Sequence, residues 1–77
     1  MSAEAALIEI KVRRAEARQE TEIVVLLLKE LVEAREKELE TARIRYRTGK
    51  VTASDVSDSL KAVLEAKVRL NDATSDE

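Results

Sequence analysis

Apolar residues along this chain fall at helical spacing, and the spacing divides it into segments of different character. Ile8, Val12 and Ala15 start a seam of 4-3 rhythm, which weakens through Arg18, Gln19 and Glu22. Leu28, Val32, Arg35, Leu39, Ala42 and Tyr46 carry a 4-3-4-3-4 seam, with one cation inside it. Between them lies Ile23-Val24-Val25-Leu26-Leu27-Leu28, six apolar residues in a row. Such a run covers every side of a helix and calls for burial all round. Further on, Val56, Leu60, Val63, Leu64, Val68 and Leu70 form a broad stripe, with Lys67 inside it, where its stem can lie on apolar surface while the ammonium stays in water.

From Ser2 to Thr48 there is neither Gly nor Pro, and good helix formers dominate. This stretch predicts one helix over about 3–48, capped by Ser2 and braced by pairs such as Glu9–Arg13 and Arg18–Glu22. At 1.5 Å per residue it would be about 65–70 Å long. Gly49 suits the left-handed position that closes a helix, and Arg43, Arg45 and Arg47 complement the dipole before it. Thr52 and Asp55 then have the spacing of an N-cap and its acidic N3 partner, with Val51 and Val56 placed as a hydrophobic staple. A second helix is expected over about 53–73, after a turn at 49–52, and residues 74–77 are expected to fray. The fold class is therefore all-α: a single antiparallel helical hairpin over 1–77.

A return arm of that length can shield less than half of so long a first helix. The apolar belt then lacks neighbours within the chain, and self-association into an oligomeric coiled-coil bundle of two or more copies follows as the expectation. Its interface would comprise Ile23, Val24, Val25, Leu26, Leu27, Leu28, Leu31, Val32 and Leu39 on the first helix, with Leu60, Val63 and Leu64 on the second. Arg35 has two readings, a register-fixing ion pair across that interface or a snorkelling side chain.

Composition narrows the chemistry. The 77 residues include no Cys, His, Trp, Phe or Pro and one Tyr, which removes thiolate and imidazole catalysis, zinc and iron–sulfur sites, and any stacking platform for bases. Fourteen basic against sixteen acidic residues give a net charge of −2, so no general attraction to nucleic acid is expected. The carboxylate pairs Glu16–Glu20 and Glu36–Glu40 have the spacing of a bundle metal site but lack its histidine, and read as solvated faces. No cofactor, no small-molecule substrate and no catalysis are expected. The six-residue belt is far short of the roughly 20 needed to cross a bilayer, and no export signal opens the chain, so it reads as cytoplasmic as written.

Residues 42–56, ARIRYRTGKVTASDV, followed by Ser59-Leu60 and Val63-Leu64-Glu65-Ala66, resemble the periplasmic helical hairpin of TolC-type outer-membrane efflux channel proteins. The resemblance covers about 36–73 and implies a hairpin whose tip residues Arg45, Tyr46 and Gly49, with Arg43, Arg47 and Lys50 beside them, meet an adaptor subunit. Lys50 departs from the apolar residue the family carries after the glycine. The resemblance implies either a periplasmic fragment of such a channel or the same hairpin used as a separate assembly element. Another class of reading remains: a small regulator whose basic tip binds nucleic acid or an acidic protein.

Overall fold

The computed structural model describes residues 3–74, and all the regular structure among them is helical: α1 (Ala3–Ala17), α2 (Thr21–Arg47) and α3 (Ala53–Thr74). The expected cap at Ser2 and residues 75–77 of the expected frayed tail lie outside the described residues, whereas Thr74, also expected to fray, is the last residue of α3, its hydroxyl donating to the Leu70 carbonyl at 3.0 Å. α2 is the axis of the molecule. α3 returns antiparallel along it from the 49–52 turn, and α1 lies antiparallel along its first half, parallel to α3.

The long helix over 3–48 is the expectation that fails, because the chain reverses at Arg18-Gln19-Glu20. Gln19 adopts φ +59°, its N–H donates to the Glu16 carbonyl at 3.0 Å, and the Glu20 N–H donates to the Ala15 carbonyl at 3.0 Å. That pair of bonds is the Schellman closure of a helix, made here with glutamine in the left-handed position. The Arg18–Glu22 pair therefore spans a turn instead of bracing one helix, and Glu16–Glu20 no longer share a helix face.

Burial explains the reversal. Holding a non-glycine residue left-handed costs about 1–2 kcal/mol. Folding back buries Ile8 and Val12 of α1 against Val24, Leu28 and Leu31 of α2, and each such side chain withdrawn from water gains about 1.5–3 kcal/mol. Several of these gains outweigh one strained residue. The core so formed also takes Ala5, Ala15, Val32 and Ala34, with Ala66 from α3, while Leu27, Leu70 and Ala73 pack at its edge. α1 thus helps cover Val24 and Leu28 of the apolar belt from within the chain, with Val25 and Leu27 partly covered and Ile23 and Leu26 left exposed, so other copies are not the only source of cover for the belt.

α1 ends halfway along α2, so the bundle has two unlike halves. Near the first turn three helices surround a core. Toward the second turn, α2 and α3 pair alone through Leu39, Ala42 and Val63. The molecule is elongated, 44 × 24 × 14 Å, with a radius of gyration of 13.8 Å against about 11.5 Å for a compact chain of this length.

Candidate assembly surface

The second turn forms as its residues imply. Gly49 takes φ +74°, its N–H donates to the Tyr46 carbonyl at 3.0 Å, and the Lys50 N–H donates to the Arg45 carbonyl at 2.8 Å. The Thr48 hydroxyl donates to the same Arg45 carbonyl at 3.0 Å. Thr52 and Asp55 then form a reciprocal capping box: the Asp55 N–H donates to Thr52 Oγ1 at 3.2 Å, and the Thr52 N–H donates to Asp55 Oδ2 at 2.9 Å. The Thr52 hydroxyl donates to the same oxygen at 3.0 Å. These donors, the backbone one foremost, hold the Asp55 carboxyl below its usual pKa of 3.8. Asp55 is thereby accounted for as a helix cap.

Around that turn Arg43, Arg45, Tyr46, Arg47, Gly49 and Lys50 are all exposed. They form a basic, solvated end of the molecule.

Charged residues also tie the three helices together. Arg35 donates to Glu9 at 2.9 Å and to Glu38 at 3.0 Å, and Arg69 of α3 approaches the other Glu9 oxygen at 3.4 Å. Glu9, expected to pair with Arg13 on its own helix, instead joins α1 to both neighbours. The cation in the seam thus pairs with acids of its own chain, one on α1 and one on α2. Lys67 meets Glu36 at 3.6 Å across the α2–α3 seam; both side chains are half exposed, and such a pair contributes at most about 1 kcal/mol.

The twelve residues expected at an interface divide into two groups. Val24, Leu28, Leu31, Val32, Leu39 and Val63 are buried within the chain, and Val25 and Leu27 are partly buried. Ile23 and Leu26 on α2, and Leu60 and Leu64 on α3, are exposed. Four further exposed aliphatic residues were not among those expected at an interface: Leu7 and Ile10 on α1, Ile44 on α2, and Val68 on α3, which the sequence placed in the apolar stripe. Val68 follows Leu60 and Leu64 at four-residue spacing, so the three make a stripe along the outer side of α3. Leu7 and Ile10 share the outer side of α1 with Ala3 and Ala6, opposite the buried Ala5, Ile8 and Val12.

Beyond the N-terminal end of α1, the surface between α2 and α3 forms an open groove of about 750 Å³. Ala34, Ala42, Val51 and Ala62 line it, and Glu4 of α1 stands at its inner end. Lys37, Glu38 and Arg45 border it from α2, Asp55 and Asp58 from α3. Among the described residues no group of three or more acidic side chains converges as a metal site, and no helix is long and apolar enough to cross a membrane. Compared with protein families, curated protein sequences and solved structures, the chain finds no match in any of the three.

Proposed function

We propose that this protein is a non-catalytic assembly module, a small helical unit that associates with copies of itself. One observation carries the reading: the folded chain leaves large aliphatic side chains of all three helices exposed, within a total accessible surface larger than that of a compact chain. Its accessible surface is 5701 Å², about 1,000 Å² more than a compact monomer of its mass exposes. One partner in a standard protein–protein interface loses about 800 Å². Leu7, Ile10, Leu26, Leu60, Leu64 and Val68 are each between 41% and 61% exposed, and apolar surface of this extent on so small a chain favours association. Sedimentation at micromolar concentration tests it: a discrete oligomer is expected, and a stably folded monomer refutes it.

The exposed cations at the second turn favour one further reading, in which Arg45, Gly49 and Lys50 dock a protein partner, as the likeness to the efflux-channel hairpin implies. In that case Lys50→Leu improves docking while leaving self-association intact. Binding of nucleic acid by the same cations would instead fall steeply with added salt and with Arg43, Arg45 and Arg47 changed to Ala.

A further inference from the structure

Resting on the self-association reading, we infer that the groove beyond α1 is the seat for α1 of a second copy, so that two molecules pack face to face and antiparallel. On one face each molecule carries a ridge, α1, over half of its length, and a hollow of the same origin over the other half. A two-fold axis lying in that face and perpendicular to α2 sets each ridge in the other's hollow, which is the isologous closure of a symmetric dimer. The dimensions agree, since two α1 helices of 15 residues laid end to end span about 45 Å, and the molecule is 44 Å long.

The chemistry of the two surfaces is complementary. The side of α1 that would enter the groove carries Leu7 and Ile10, 52% and 48% exposed, and the groove floor of Ala34, Ala42 and Ala62 is small enough for a helix to approach closely. In this arrangement the partner's Leu7 falls over Ala42 and Ala62, and the partner's Ile10 over Ser59. Beyond them the exposed outer part of α1 is basic, with Lys11, Arg13 and Arg14, and these residues arrive at the end of the groove bordered by Asp55 and Asp58. Arg45, also at that end, opposes them; at the inner end the partner's Glu4 arrives beside Lys37. α1 would then be buried on two sides.

Equilibrium sedimentation of the natural chain, Leu7→Arg and Leu64→Glu, with folding followed by circular dichroism, tests this. Both substituted positions are exposed in the single molecule, so the fold persists. The expected result is association weakened at least about tenfold by Leu7→Arg and unchanged by Leu64→Glu. A second measurement uses the absence of native cysteine: Ile10→Cys with Ser59→Cys in one chain should oxidise to a covalent dimer, because within one molecule the two positions lie on different halves. Association abolished by Leu64→Glu but indifferent to Leu7→Arg, with no crosslinked dimer, overturns the groove and assigns the α3 stripe while self-association stands. A natural chain that stays monomeric overturns both.

Discussion

The two turns of this molecule share one hydrogen-bonding scheme but differ in what their sequences contribute. At each, the left-handed residue donates to the carbonyl three positions back and the next residue to the carbonyl five back, through Gln19 and Glu20 at the first turn and Gly49 and Lys50 at the second. The second is set by local chemistry, with glycine where φ is positive and a reciprocal Thr52–Asp55 cap opening the next helix. The first has neither, since glutamine bears the φ of +59° and Glu20 opens α2 without a side-chain cap bond. What closes it is tertiary: α1 buries its apolar face on α2. A turn can thus be specified by its own residues or by the surfaces it brings together, and the two kinds respond differently to substitution.

The largest expected effect tests the tertiary kind. Val12 is fully buried only because α1 folds back. Val12→Asp places an unpaired charge in that core and should cost about 3–5 kcal/mol in urea unfolding, whereas Leu26→Asp, on the exposed side of α2, should stay within about 0.5 kcal/mol. Near-equal effects would show that α1 continues α2 as a straight helix. Next in size is the local kind. Gly49→Gln should destabilise by about 1–2 kcal/mol; no atom lies within 4 Å of the added Cβ, so the whole cost is backbone conformation. Thr52→Ala should cost about 1 kcal/mol through loss of the cap.

How much of this was legible in the chain follows the same division. The α2–α3 turn, the Thr52–Asp55 cap and the extent of α3 could be read because each depends on residues within a few positions of one another. The first turn was not read because no glycine or proline marks it, and helix propensity across Arg18-Gln19-Glu20 is high. A signal was nonetheless present in the phase of the apolar positions. Ile8, Val12 and Ala15 predict continuation at Gln19 and Glu22, both polar, and the face resumes at Val24, Leu28 and Leu31. On a straight helix that is a rotation of about 150° at 100° per residue, so one helix would point its two apolar faces to nearly opposite sides. A turn brings them together. Of the residues singled out for association, Ile23, Leu26, Leu60 and Leu64 are exposed, while Leu7 and Ile10 went unnoticed because α1 has a distinct outer side only once the chain folds back.

A smaller effect joins the two turns in one experiment. Gln19→Gly relieves the left-handed strain but enlarges the freedom of the unfolded chain, leaving a net gain of about 0.5–1 kcal/mol. Combined with Gly49→Gln it should offset much of that variant's loss, because the turns are far apart and share no partner. A Gln19→Gly that destabilises would mean that the glutamine side chain contributes to the first turn, contrary to the comparison.

The finest test is the protonation of Asp55, since only the second turn carries a titrating cap. Its carboxyl accepts from the Thr52 N–H and hydroxyl, which lowers its pKa from the usual 3.8. A depressed folded-state pKa means that the unfolded chain binds the proton more readily, so the cap's contribution is complete above the unfolded value, near 3.9. It is lost as pH falls through the lower folded value. Carboxyl NMR should therefore place the Asp55 midpoint below 3.8 in the folded protein, and Thr52→Ala should move it back upward as both donor geometries are lost or loosened. An unchanged midpoint in that variant would assign the shift to the backbone N–H of residue 52 and the dipole of α3 instead of the threonine hydroxyl, and would leave the hydroxyl without a part in the second turn.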